Sequence, residues 1–141
     1  MEFGTIANII SIIGAIVSVV TAIQAFRIND KLQKQKFEIR FRSQGHFLQS
    51  NFCTFLDQFA NREINLIVLT DVKKQAHQLL DFSIKCKWEK EKTNTIKQLI
   101  CIINEYIESL NAEKDCDRVF TDSILKLTEV YSIISEEVEI L

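Results

Sequence analysis

The stretch that decides the fold is "IANIISIIGAIVSVVTAIQAF", residues 6–26, which contains no charged residue. As a helix it would be about 31 Å long, close to the ~30 Å hydrocarbon core of a bilayer. The preceding residues, Met1 to Thr5, include one acid and no base, whereas a cleaved signal peptide begins with a basic region. The sequence therefore predicts that residues 1–26 form a retained single-pass transmembrane helix with a short external N-terminus.

The stretch that follows, residues 27–43, is basic. It contains Arg27, Lys31, Lys34, Lys36, Arg40 and Arg42 against only Asp30 and Glu38. Positive charge marks the cytoplasmic side, so we expect the N-terminus outside and the C-terminal domain in the cytoplasm. Because Ile28, Leu32 and Ile39 are spaced for one helical face, we interpret this stretch as a helical juxtamembrane neck that contacts anionic membrane lipids.

One face of the apolar helix is small or polar throughout. In a seven-residue register these positions include Asn8, Ser11, Gly14, Ala15, Ser18, Thr21, Ala22 and Ala25, together with Gly4 and Ala7, whereas the other positions from 6 to 26 are large and apolar apart from Gln24. Helices associate in lipid through close packing of small residues and interhelical hydrogen bonds, so this face predicts a homo-oligomer. Two interpretations stay open. The face either packs in a tight cluster or lines a wet pore, which would need at least four copies.

The rest of the chain is predicted to be all-α, because it has no proline and the whole sequence has three glycines. We place a break at Ser43-Gln44-Gly45, followed by a cytosolic sensor or oligomerisation domain over residues 44–141. Its bundle of about four helices is expected at residues 46–61, 71–88, 95–111 and 117 to the end, the second capped by Thr70 or Asp71 and the third by a threonine. The run 64–69 is ambiguous between a buried turn and a short strand.

Each predicted helix carries an apolar face that would build the core of the bundle. These faces comprise Phe47, Leu48, Phe52, Phe55, Leu56 and Phe59; Val72, Ala76, Leu79, Leu80 and Ile84; Ile96, Leu99, Ile100, Ile103, Ile107 and Leu110; and Phe120, Ile124, Leu127, Tyr131, Ile134, Val138 and Leu141. The last set forms an unbroken four-three repeat, which suits a subunit contact as well as a core.

The sequence offers little for catalysis, cofactors or metals. The two histidines, His46 and His77, lie outside any HExxH motif, and three scattered glycines cannot form a phosphate-binding loop. The four cysteines, at positions 53, 86, 101 and 116, form no CxxC pair, which is typical of reduced and mostly buried thiols. We therefore expect no enzyme, no cofactor and no metal site.

A binding role is suggested by "KCKWEKEKTNTIK", residues 85–97. It combines the only tryptophan with lysines, as Lys85, Lys87, Trp88, Lys90, Lys92 and Lys97. Lysines beside an aromatic ring suit phosphate contacts and base stacking, so these residues are candidates for binding a nucleotide or oligonucleotide. The alternative is a solvated helix end and loop in which Trp88 packs on the core.

The combination of an N-terminal span with small and hydroxyl residues, a basic neck and a helical cytosolic domain resembles the small transmembrane effectors of bacterial antiphage defence. These include effectors of CBASS, Hailong and type III CRISPR systems. The resemblance lies in the architecture and transfers no ligand residue to this sequence. It implies a sensor that binds a nucleotide signal or a protein trigger and rearranges the membrane helices, which depolarises the cell in abortive infection.

A competing hypothesis is a membrane-tethered adaptor that does not conduct ions. Its bundle would recruit another cytosolic protein, and its transmembrane helix would only dimerise.

Overall fold

The chain folds into four α-helices in a computed structural model that describes residues 2–140, with side chains from Gly4 onward. Helix α1 spans Glu2–Ala60, α2 Leu66–Lys85, α3 Lys90–Asn111 and α4 Asp117–Ile140, and no strand is present in this part of the chain. The all-α prediction is confirmed. The chain divides into two compact units, Met1–Lys36 and Phe37–Leu141, and the boundary falls within α1.

The helical break predicted at Ser43-Gln44-Gly45 is wrong, because α1 continues through these residues to Ala60. Gly45 is buried, and a Cβ atom at this position would lie 3.0 Å from Cγ2 of Val138 on α4. The missing side chain therefore lets α4 approach α1 closely. Glycine serves here as a packing residue, at a cost in helix propensity of about 1 kcal/mol relative to alanine.

The core of the second unit is built around phenylalanines of α1. Phe41 is 1% exposed and packs edge-to-face against Phe82 and Trp88, with ring centroids 5.6 and 5.0 Å apart. Toward the other end of the same stretch, Phe59 contacts the rings of Tyr106 and Phe120. The predicted neck, residues 27–43, thus contains a core residue of the bundle at Phe41.

Two helices begin earlier than the sequence predicts. The N-cap of α2 is Asn65, whose side chain accepts a hydrogen bond of 2.9 Å from the backbone N–H of Val68, so the Thr70 and Asp71 caps are wrong. The ambiguous run 64–69 is therefore mostly the first turn of α2, and its β-branched residues form no strand. Helix α3 begins at Lys90, without a side-chain cap, and α4 begins at Asp117 as predicted.

The predicted core faces are mostly correct, with two errors. Phe47 and Ile84 are exposed, although their spacing places them beside the buried faces of α1 and α2. On α4 the fully buried residues are Ser123, Leu127, Val130 and Ile134. Four other members of the predicted repeat are half-buried, namely Phe120, Ile124, Tyr131 and Val138. Leu141 lies outside the described residues.

Three helices end in the same backbone motif. After α3, Glu113 adopts φ 55°, and the backbone N–H of Lys114 donates to the carbonyl of Ser109 across 2.9 Å. Arg62 after α1 and Lys87 after α2 occupy the equivalent left-handed position, with φ 56° and 55°. This is the Schellman arrangement, which satisfies the last carbonyls of a helix and normally places glycine at the left-handed residue. The backbone of each of these three residues is therefore strained, because each has a Cβ atom.

We expect Glu113→Gly to stabilise the bundle by about 1 kcal/mol, because glycine adopts the left-handed conformation without the Cβ clash. The measurement is urea unfolding of the full chain in mild detergent, followed by circular dichroism. Ala112→Gly is the control: its φ of −87° suits any residue, so glycine there should lower stability slightly. A loss of stability in Glu113→Gly would contradict the strain argument.

Candidate functional sites

By its length and composition alone, α1 is long enough and apolar enough to cross a membrane. No residue of its most apolar window is buried in the structure. The core helix of a soluble protein passes the same test of length and composition, but such a helix is mostly buried. The exposure of this window means that its apolar surface is covered by nothing within the described chain.

All eight residues of the predicted packing or pore-lining face are exposed on this helix. They are Asn8, Ser11, Gly14, Ala15, Ser18, Thr21, Ala22 and Ala25. The hydroxyl of Ser18 donates to the carbonyl of Gly14 across 2.9 Å, and that of Thr21 donates to Val17 across 2.8 Å. These bonds satisfy both donors within the helix, so neither hydroxyl needs water or a partner helix to be tolerated in lipid. Their remaining lone pairs can still accept a hydrogen bond.

The predicted nucleotide-binding residues are spread over the end of α2, the following loop and the start of α3. Trp88 is half-buried against Phe41, which agrees with the alternative that this ring packs on the core. Lys85 lies 3.5 Å from Asp81 and 4.4 Å above the ring of Phe37. Lys87, Lys90 and Lys97 are exposed. Of the predicted residues, the structure brings Lys87, Trp88 and Lys92 to the lining of one cavity, and the indole of Trp88 packs against Phe41.

Lys92 is engaged by acids of α4. Its ammonium group lies 2.6 Å from a carboxylate oxygen of Glu137 and 3.3 Å from one of Glu136, and the side chains of Lys92 and Glu137 are only 12% and 14% exposed. Burial lowers the pKa of Lys92, but hydrogen bonds and Coulombic attraction from Glu137 and Glu136 outweigh it, so the pKa is raised above 10.5. Sequence reasoning missed this ion pair because its partners are 45 residues apart.

A cavity of about 280 Å³ lies beside Trp88 and Phe41. The charged residues that line it are Glu38, Glu89, Glu136, Glu137, Lys87 and Lys92. The four glutamates outnumber the two lysines, so the surroundings of the cavity carry net negative charge. A phosphate group entering it would be repelled by this excess of carboxylates.

The cysteines do not match the prediction of mostly buried thiols. Cys86 is buried, Cys116 is half-buried, and Cys53 and Cys101 are exposed. Among the described residues, no group of three or more His, Cys, Asp or Glu side chains is arranged to hold a metal ion.

No protein family, no curated protein and no solved structure matches this chain.

Proposed function

We propose that this protein is a homo-oligomeric, single-pass membrane effector. Its N-terminal helix clusters with copies of itself in a bacterial inner membrane, with the N-terminus outside, and its cytosolic bundle gates that cluster. The activity is formation of a pore or another route of membrane depolarisation, serving antiphage abortive infection. The observation that carries the proposal is the apolar stretch of α1, which is wholly exposed and bears a continuous small and polar face.

In this proposal the bundle receives the trigger, because the exposed apolar stretch of α1 is suited to lipid. The cavity beside Trp88 has excess negative charge, and the ammonium group of Lys92 is occupied by Glu136 and Glu137. Both features favour a protein trigger over a nucleotide or oligonucleotide. A nucleotide ligand would instead have to use the outward-facing lysines, such as Lys90 and Lys97.

The second candidate is the membrane-tethered adaptor, in which the span associates without conducting ions. The internal hydrogen bonds of Ser18 and Thr21 favour it, because hydroxyls that are satisfied within their own helix can pack in a dry interface. Conductance separates the two candidates, since only the effector changes the membrane potential.

The decisive measurement is membrane potential in bacteria that express the full chain, before and during phage infection. We expect depolarisation by the natural sequence and none by the triple variant Asn8→Leu, Ser11→Leu and Ser18→Leu. Leucine at these positions would block a lumen and push the small faces of the helices apart.

The matched control replaces Ile9, Ile16 and Ile23 by leucine on the opposite face, where lipid accepts either side chain. These changes should leave depolarisation intact. If the natural chain leaves the membrane potential unchanged in both infected and uninfected cells, the result favours the adaptor.

A further inference from the structure

We propose that Cys116 is a site of oxidation by hydrogen peroxide, which converts its thiol to sulfenic acid in a small cavity at the start of α4. This role is separate from the proposed membrane activity, because every residue involved belongs to the second compact unit, Phe37–Leu141. The feature that points to it is a buried tyrosine hydroxyl in the same cavity, which forms no hydrogen bond within the described part of the chain.

The cavity lies where the end of α1 meets the start of α4. It has a volume of about 110 Å³ and is lined by Arg62, Ile64, Tyr106, Cys116, Asp117 and Phe120. This volume is enough for a few water-sized molecules. Hydrogen peroxide therefore fits into it. Because Cys116 is half-buried, a small molecule can reach its sulfur atom.

Tyr106 places a polar group in this cavity. The residue is 6% exposed, and its ring packs edge-to-face against Phe59. Its hydroxyl forms no hydrogen bond among the described residues, although a buried tyrosine hydroxyl usually has a partner. Burial raises the pKa of Tyr106, and Coulombic interaction with Cys116 raises the pKa further. The hydroxyl thus lies close to the sulfur and stays protonated at neutral pH, ready to donate a hydrogen bond.

Cys116 occupies the N-cap position of α4. Its carbonyl accepts a helical hydrogen bond from the N–H of Phe120 across 2.8 Å, and its thiol donates weakly to the carbonyl of Lys114 across 3.3 Å. The N–H groups that open a helix favour negative charge on an N-cap side chain. Arg62, held 5.0 Å above the ring of Phe120, and Asp117 add opposite charges to the lining. Because these two charges offset each other, the helix terminus decides in favour of a negatively charged sulfur.

The oxidation is a two-electron transfer from sulfur to peroxide. The thiolate of Cys116 attacks one peroxide oxygen, and the S–O bond forms as the O–O bond breaks. The hydroxide that leaves takes up the proton that the thiol released, so the products are sulfenic acid and one water molecule. The hydroxyl of Tyr106 donates a hydrogen bond to the departing oxygen, where negative charge develops.

The four cysteines of the chain provide an internal comparison. The full chain in mild detergent is treated with hydrogen peroxide, and sulfenic acids are trapped with dimedone and quantified at each cysteine by peptide mass spectrometry. We expect Cys116 to be labelled about 5-fold faster than Cys53 and Cys101, although both of these are more exposed. The buried Cys86 should be labelled least.

Tyr106→Phe removes only the hydroxyl from the cavity. We expect this variant to label about 5-fold more slowly at Cys116, the effect of losing one hydrogen bond. Tyr131→Phe is the matched control, because Tyr131 is the other tyrosine of the chain and does not line the cavity. It should change the rate at Cys116 less than about 2-fold.

Two results would overturn the proposal. If Cys53 and Cys101 are labelled as fast as Cys116, oxidation follows exposure and Cys116 is no special site. If Cys116 is labelled fastest but Tyr106→Phe leaves its rate unchanged, the helix terminus alone activates the thiol and the role of the cavity is wrong. Neither result bears on membrane depolarisation, which is tested by the potential measurement.

Discussion

Phe41→Ala is expected to destabilise the bundle by about 3–5 kcal/mol, the usual cost of removing a fully buried aromatic side chain. Phe41 is 1% exposed and supports both Phe82 and Trp88, so its loss leaves a cavity between α1, α2 and the following loop. That loss is a large fraction of the 5–15 kcal/mol that stabilises a typical domain. The measurement is urea unfolding of the full chain in mild detergent, followed by circular dichroism at 222 nm.

The control for this prediction is Ile39→Ala, two residues earlier in α1. Ile39 is 64% exposed, so its truncation should change the free energy of unfolding by less than about 0.5 kcal/mol. Equal effects of the two substitutions would mean that residues 37–43 form a solvated neck, as their basic composition predicts, and that Phe41 does not belong to the core.

Lys92→Met is expected to destabilise the bundle by about 2–3 kcal/mol at neutral pH. Methionine retains the apolar stem, but it leaves the carboxylate of Glu137 largely buried without its partner. Adding Glu137→Gln should recover part of the loss, because the amide carries no charge that needs compensation. The measurement is a double-mutant cycle of unfolding free energies. Additive losses from the two substitutions would show that the pair is not coupled.

Lys126→Met is the matched control for this pair. Lys126 and Glu129 lie 3.0 Å apart, but they are three residues apart on the same helix and more exposed. Such a pair contributes about 0.3–0.5 kcal/mol, so its loss should be hardly measurable.

The pH dependence of the Lys92 contribution has a definite sign. The pKa of Lys92 is higher in the folded protein than the 10.5 of an ordinary lysine, so folding favours the charged form. The contribution is therefore complete below pH 10.5 and is lost as pH rises through the folded-state pKa. The stability difference between the natural chain and Lys92→Met should be constant from pH 7 to pH 9 and should shrink above pH 10.5. Burial also raises the pKa of Tyr106, but this tyrosine is present in both proteins and its effect cancels.

The helical class and the outward-facing N-terminal stretch could be predicted from the sequence because both follow from local composition. Without proline and with few glycines, little interrupts the helices, and an uncharged run such as 6–26 is too apolar to be explained by half-burial. The helix periodicity also located most of the core, since residues such as Leu127 and Ile134 follow one face of one helix. These features depend on neighbours within a few turns.

Only the tertiary structure decided the features that depend on residues distant in the chain. Gly45 resembles a helix breaker, but it is the position at which Val138 approaches α1. In the sequence, Lys92 resembles a phosphate ligand in a lysine-rich run. In the structure, this side chain on α3 forms an ion pair with Glu137 on α4. Glycine and lysine are each suited to two roles, and the neighbour supplied by packing selects one. The sequence by itself therefore determined that the chain is helical and which segment can enter lipid. The tertiary structure decided which polar and small residues hold the bundle together, through packing contacts at Gly45 and an ion pair at Lys92.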